Sequence, residues 1–199
     1  MGLARLLHHH TGTIDHPLAY EVSATVWFLG ARRAVFTRLA AAVRPRAGDR
    51  VLDVGCGTGY LSRILSPVVG PAGQVTGIDP SPAMIRYAAA RARGNCTYVL
   101  GGAQTLPFPD GSFDAVTATL VVHHIPAEDR PEALGEMYRV LRPGGRLLVA
   151  EPRPLAGRLG PMDGDPRDLL GSLILDTGFQ VESEGELPYL LYYVRAARP

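Results

Sequence analysis

The stretch Val51-Leu52-Asp53-Val54-Gly55-Cys56-Gly57-Thr58-Gly59, followed by Tyr60-Leu61-Ser62-Arg63-Ile64-Leu65, decides the fold. It reads as a buried strand that breaks into a loop with glycine at every second position and then enters a helix. Glycines at 55, 57 and 59 let the backbone turn sharply and let a ligand approach without meeting a Cβ. The helix N-terminus beyond them adds free N–H donors and a partial positive charge. A binding loop at the carboxyl end of a parallel strand is the expectation.

The spacing discriminates among ligands. A nicotinamide dinucleotide fingerprint is G-x-G-x-x-G, whereas Tyr60 stands here where the last glycine belongs. No Gly-Lys-Ser/Thr follows, which excludes a phosphate-cradling P-loop. Asp53, two residues before the first glycine, suits a ligand that offers an ammonium group. A second β-rich run, Gln74-Val75-Thr76-Gly77-Ile78-Asp79, ends in a carboxylate that can accept hydrogen bonds from both ribose hydroxyls of an adenosine. The competing role for Asp79, capping the next helix, falls instead to Ser81, with Pro82 at the first helical position. Together these features favour a non-phosphorylated nucleoside with an amino-acid tail.

With these residues in place, the chain resembles the class I S-adenosylmethionine-dependent methyltransferases, and within them the small-molecule enzymes similar to those of ubiquinone and menaquinone biosynthesis. Four ordered blocks carry the resemblance, between about residues 48 and 151: VLDVGCGTG, VTGIDPSPAMI, LPFPDGSFDAV with the VVHHI after it, and EMYRVLRPGGRLLVAE. It implies S-adenosylmethionine as cofactor and S-adenosylhomocysteine as product. Asp53, Gly55, Cys56 and Gly57 would hold the methionine portion and Asp79 the ribose. Pro80, Met84, Ala103 and Gln104 would surround the adenine, and Thr119 and Leu120 would close the other side. The chain departs from the family pattern after its third strand. Gly101-Gly102-Ala103-Gln104 stands where a Gly-Asp-Ala-Glu is usual, so Gly102 has no side chain to accept from the adenine amino group. The loss is about one ordinary hydrogen bond, roughly 0.5–1.5 kcal/mol.

Composition agrees. A chain of 199 residues with 46% hydrophobic content buries one good core. With 20 basic against 19 acidic residues, net charge is +1 and gives no electrostatic case for nucleic acid. No apolar run reaches the length of a membrane span, and the first residues lack a signal-peptide core. Leu6 occupies the place where myristoylation at Gly2 needs Ser or Thr. Two cysteines are too few for a disulfide framework, which points to a reducing cytoplasm. No metal is expected; the run His8–His10 reads as part of a disordered terminus.

Strands are expected near 50–54, 74–78, 96–100, 113–118 and 145–150, with helices near 59–66, 82–93 and 131–141 between them. Leu134, Met137, Tyr138 and Leu141 form an apolar stripe at helical spacing, and Pro143-Gly144-Gly145 ends that helix. A further helix runs from Pro166 to Asp176 behind an Asp165 cap, followed by strands near 179–184 and 189–197. The alternation argues for an α/β class with a parallel sheet, and the resemblance implies a Rossmann-like, seven-stranded, mostly parallel sheet with an antiparallel last strand, flanked by helices. Residues 48–199 form the binding domain. Residues 1–47 form a helical lid, in which Tyr20 to Val43 is mostly helical, with Val26, Leu29, Val35, Phe36 and Leu39 as packing residues. Tyr20, Trp27 and Phe28 are lid candidates, and a monomer or homodimer is expected.

Chemistry belongs outside the carboxyl ends of the central strands. There a methyl acceptor must be aligned and, where its reacting atom bears a proton, deprotonated. His124, His123 and Glu151 are the candidate bases, His124 foremost, with a bracing role as the competing reading for all three. The acceptor is a small molecule, methylated at oxygen, nitrogen or carbon. The alternative is a cofactor-binding or partner-regulating protein without catalysis; a nicotinamide oxidoreductase fits the glycine spacing less well.

Overall fold

The central strands are buried along nearly their whole length, so the sheet is covered on both faces. The computed structural model describes residues 15–153 and 165–199; the run His8–His10 and most of the Pro/Gly-rich stretch at 152–165 lie outside them. Seven strands, β1 (Arg50–Val54), β2 (Gln74–Asp79), β3 (Cys96–Leu100), β4 (Phe113–Thr119), β5 (Leu141–Pro152), β6 (Gln180–Leu187) and β7 (Leu191–Ala197), form one sheet in the order β3-β2-β1-β4-β5-β7-β6. The first five are parallel to their neighbours, and β7 runs antiparallel to both β5 and β6. The expected sheet is therefore present, with its reversal at the last strand.

Side chains one residue apart serve opposite faces, as the strand period requires. Val51, Ala115 and Leu148 pack with α2 (Arg32–Ala42) and α3 (Tyr60–Val69). Leu52, Val54, Val116, Leu147 and Val149 pack on the other side with Leu134 and Met137 of α5 (Arg130–Val140) and Leu170 and Ile174 of α6 (Pro166–Asp176). The expected stripe on α5 is thus the one that meets the sheet. Helix α4 (Pro82–Ala89) starts as expected: Ser81 Oγ accepts from the Met84 N–H at 3.3 Å. Asp165 caps α6 in the same way, accepting from Arg167 N–H at 3.0 Å.

Three boundaries differ from the sequence reading. Helix α4 stops at Ala89, short of residue 93, and is followed by turns at Ala90 to Ala92. Strand β5 begins at Leu141, directly after α5, and absorbs Pro143-Gly144-Gly145 as an irregularity opposite Phe113–Ala115. The N-terminal segment is two helices, α1 (Pro17–Trp27) and α2, because Leu29 and Gly30 take left-handed conformations (φ 46° and 81°) that reverse the chain. That reversal inserts Phe28 into the core, edge-on to Phe36 and Tyr189. Val35, Phe36 and Leu39 are buried as expected, but Val26 and Leu29 face solvent at 67% and 80% exposure. Helix α1 has one covered face, and the turn rotates both residues off it.

The end of α2 is fastened to the sheet by a buried ion pair. Arg146 on β5 donates to Asp49 Oδ2 at 2.6 Å and to the Arg44 carbonyl, while the same Asp49 oxygen accepts from Arg46 N–H. Replacing Asp49 by alanine leaves the guanidinium buried without its counter-charge. Asp49→Ala is expected to lower the free energy of unfolding by about 3–5 kcal/mol, read from urea denaturation. A loss under about 1 kcal/mol would mean that solvent replaces the carboxylate at no cost.

Candidate functional site

The carboxyl ends of β1, β2 and β4 open into one cavity of about 460 Å³, roofed by α1 and the start of α2. It sits where the strand order reverses between β1 and β4, the crevice in which open α/β sheets bind ligands. Its walls include Asp53, Gly55, Cys56, Gly57, Asp79, Pro80, Met84, Thr119 and Leu120, and on the far side His123 and His124. Tyr20, Trp27 and Phe28 contribute the lid. Ala103 and Gln104 are not among its lining residues: Ala103 is buried, and Gln104 donates to Asp129 Oδ2 at 3.4 Å.

The glycine loop takes its shape from three left-handed residues, Gly55, Gly57 and Gly59, with φ of 64°, 51° and 71°. They do different work. A Cβ on Gly55 would lie 2.2 Å from Val121 Cγ2, and one on Gly59 would lie 2.5 Å from the Tyr98 hydroxyl. These two glycines admit neighbouring protein. Only at Gly57 would the Cβ meet nothing within 4 Å, so this is the position left open to a ligand.

Two carboxylates flank that opening. Asp53 is buried, accepting from Ser62 Oγ of α3 at 2.6 Å and Thr117 Oγ1 of β4 at 3.0 Å. Burial pushes its pKa up to about 6, against the lowering effect of those two hydroxyls. Asp79 accepts from the Gly57 and Ser81 N–H groups, one on each oxygen, at 2.9 Å. Its pKa is also raised by burial. Each Asp79 oxygen keeps acceptor capacity beyond its single bond, as two ribose hydroxyls require. Cys56, buried beside them, has its thiol pKa pushed well up by burial and by the two nearby carboxylates, so it stays protonated and inert. Thr119 Oγ1, at the end of β4, is buried without a hydrogen-bond partner among the described residues. An adenosyl ligand with an ammonium tail fits this set: an open glycine, two acceptors with capacity to spare and an orphan hydroxyl.

The opposite wall is built by Glu151. This fully buried carboxylate accepts from the Val121 and Val122 N–H groups at 3.0 and 2.7 Å through Oε1, and contacts His123 Nδ1 at 2.5 Å through Oε2. Its oxygens are thereby committed to shaping the turn after β4. The His123 and His124 rings lie 3.9 Å apart, centre to centre. Leu120 precedes them at φ 59°, held by its N–H bond to the Ala150 carbonyl. A non-glycine residue in that region is strained, and the strain sits where the cavity is lined.

The lid adds residues that the sequence did not nominate. Glu21 of α1 accepts from Arg32 of α2 at 2.8 Å and, through its other oxygen, from the Thr58 hydroxyl of the glycine loop. Arg32 lies over the Tyr60 ring at 3.9 Å. Asp15, just before α1, accepts from the Ser81 hydroxyl at 2.7 Å. Tyr20 is half-buried under this roof, and its desolvation there raises its pKa. No periodicity marks Glu21 or Arg32, since their partners lie far along the chain.

Residues 51–145 match the methyltransferase domain family. Over 111 residues the chain is 43% identical to a ubiquinone/menaquinone biosynthesis C-methyltransferase of Psychromonas ingrahamii, an alignment that takes in 53% of this chain and 43% of that relative. The chain thus spans less than half the length of the curated relatives it matches. Among solved structures, an S-adenosylmethionine-dependent methyltransferase from Aquifex aeolicus superposes with a TM-score of 0.79 at 21% identity, covering 92% of this chain and 99% of that one. A [4+2]-cyclase superposes with a TM-score of 0.73 at 24% identity, covering 85% and 81%. At these identities the two structures establish the shared fold.

The unequal surroundings of the glycines have a measurable consequence. Gly57→Ala is expected to cost only the left-handed strain of an alanine, about 1–2 kcal/mol. Gly55→Ala adds a collision with Val121 and is expected to lower the midpoint of thermal unfolding further, part of which Val121→Ala restores. Equal losses from the two glycine substitutions would show that Val121 yields freely.

Proposed function

We propose that this protein, whose residues 51–145 match the methyltransferase domain family, transfers a methyl group from S-adenosylmethionine to a small, partly apolar acceptor. The observation that carries the reading is the pairing of Asp53 and Asp79 on either side of the open Gly57. In this reading residues 1–47 are the lid and residues 48–199 the binding domain. Asp53 takes the ammonium of the tail and Asp79 the ribose hydroxyls. Gly57 admits the tail to the loop, and Pro80 and Met84 cover the base. When bound, the cofactor supplies a methyl group on a sulfonium, an electrophile that needs no activation by the protein.

The protein's part is then to position the acceptor and accept its proton. His123 is the better base of the two histidines, which reverses the order read from the sequence. With its Nδ1 proton directed at Glu151, the ring keeps the lone pair of Nε2 for the acceptor, and the carboxylate stabilises the imidazolium that forms. Glu151 acts through His123 as a positioning residue. Trp27, Phe28, Leu120, Val121 and Pro152 give the acceptor an apolar, partly aromatic wall. That wall is consistent with ring-containing acceptors, and the curated relative is by name a C-methyltransferase of ubiquinone and menaquinone biosynthesis. Both cysteines are free and buried, which supports a reducing, cytoplasmic setting. No helix among the described residues is long and apolar enough to cross a membrane.

Methyl-labelled cofactor incubated with a small-molecule extract is expected to yield a labelled product. Binding without label transfer would favour the non-catalytic alternative. With the product in hand, His123→Asn is expected to lower kcat about 10²–10⁴-fold while calorimetric affinity for S-adenosylhomocysteine stays within a factor of two. A loss of that size confined to His124→Asn would transfer the role to His124.

The raised Asp53 pKa sets a pH dependence. An ammonium tail needs the ionised carboxylate, so S-adenosylhomocysteine affinity is expected to fall as pH drops through about 6. Asp53→Asn is expected to remove that step. The unliganded protein moves the opposite way. Its folded state holds the Asp53 proton more tightly than the unfolded chain does, so this group adds stability below about 4 and loses it as pH rises through about 6.

A further inference from the structure

Helix α1 carries two stripes of side chains, and the cavity accounts for only one of them. Tyr20, Ser23, Ala24 and Trp27, at i, i+3, i+4 and i+7, line the cavity. Leu18, Val22 and Val26, at i, i+4 and i+8, lie on the opposite side, each about two-thirds exposed. Leu29, at the reversal that follows, is more exposed still, and Trp27 is 55% exposed although it also lines the cavity. Glu21 is the one charged residue of the helix, and its carboxylate is committed to Arg32 and Thr58. The outer stripe is therefore aliphatic and uncharged, where a helix that faces water normally shows a polar side.

The charge around that stripe has one sign. Between residues 16 and 48 the chain has five arginines and a single acid, Glu21, whereas the remainder has fifteen arginines against eighteen acids. Arg33, Arg38, Arg44 and Arg46 are exposed, and no acidic residue in that span is. A near-neutral total thus conceals a basic N-terminal cap on a mildly acidic body.

We propose that the outer face of α1 docks on an anionic lipid surface, its aliphatic stripe and Trp27 entering the headgroup boundary while the exposed arginines of the cap attract lipid phosphates. The inference goes beyond the methyl-transfer reading and does not depend on it. Interfacial binding rewards apolar area and cationic charge in the same short segment, each adding to the other. An indole, apolar in its body and polar at its N–H, suits the boundary between them. A nucleic-acid backbone would use the arginines and leave Leu18, Val22 and Val26 in water. A second copy of this chain would cover the stripe but set two basic caps against each other. The docked helix is also the roof of the cavity, so the same contact places the cavity beside the lipid phase.

Trp27 is the only tryptophan of the chain, so its emission reports the contact directly. The full chain, without cofactor, is mixed with vesicles of phosphatidylcholine alone or with phosphatidylglycerol added, and bound protein is separated by flotation. A blue shift is expected, with partition onto the anionic vesicles about tenfold or more stronger than onto the neutral ones and weakened by salt. Val22→Glu combined with Val26→Glu, at positions that do not line the cavity, is expected to lower that partition at least about tenfold at an unchanged midpoint of thermal unfolding. Arg33→Glu combined with Arg38→Glu is expected to erase the preference for anionic vesicles. Neither shift nor flotation of the unaltered protein with either vesicle would overturn the proposal before any variant is made. Full partition retained in the double valine variant would overturn it as well. Without vesicle binding, a concentration-dependent dimer lost in the valine variant would assign the stripe to a second copy. Binding of a short RNA duplex, again without vesicle binding, would assign the arginines to nucleic acid, and either result removes the lipid surface.

Discussion

Everything at the site depends on how tightly the chain turns between Val54 and Tyr60. Three left-handed residues in five positions carry the backbone from the end of β1 into α3, and only glycine adopts that conformation without strain. The turn is tight enough that Gly55 lies flush against Val121, the first residue after the strained Leu120. Val121 and Val122 are in turn fixed through their N–H groups by Glu151, whose second oxygen holds His123. A continuous set of contacts therefore runs from the glycine loop, across the mouth of β4, to the candidate base on β5's side. The glycine-loop wall and the His123 wall of the cavity are one mechanical unit, and a side chain at Gly55 would push them apart.

The lid is attached to that unit by polar contacts and by one aromatic plug. Glu21 reaches Thr58 in the glycine loop, Asp15 reaches Ser81 beside Asp79, and Phe28 lodges between Phe36 and Tyr189. The polar contacts fall on Thr58, next to the open Gly57, and on Ser81, whose N–H donates to Asp79, and the plug falls at the reversal between α1 and α2. The roof is thus registered to the floor at the points where a cofactor would lie. The outer face of α1, with Leu18, Val22 and Val26 exposed, takes no part in that registration.

What the sequence disclosed and what it hid divide along the distance between partners. The strand cores and the caps at Ser81 and Asp165 are local patterns, and each element appears where its own residues require it. Asp114, at the start of β4, accepts from the Arg50 N–H of β1 and pairs with Arg142 of β5, partners that lie far along the chain. The glycine loop was legible as a loop, but not the separate uses of its glycines, because Val121 and Tyr98 approach from far along the chain. Arg32 and Glu21 were invisible for the same reason: a charged pair eleven residues apart has no signature until a chain reversal brings two helices side by side. Val26 and Leu29 misled because hydrophobic character was taken for burial, and apolar residues also supply much of any protein's surface.

The matched segment and the cavity do not coincide, and this bears on what the fold can say about chemistry. Asp53, Gly57, Asp79 and His123 lie within residues 51–145, so the donor side and the candidate base belong to the part shared with methyltransferase domains. Tyr20, Trp27, Phe28 and Arg32 precede it, and Pro152 follows it. The cavity is therefore lined both by the matched segment and by residues on either side of it. A [4+2]-cyclase built on the same fold makes the same point from the other direction, since a common scaffold leaves the reaction to the residues grafted onto it. The shape of the cavity's roof is set by α1 and α2, where the reversal at Leu29-Gly30 decides which aromatic rings face inward.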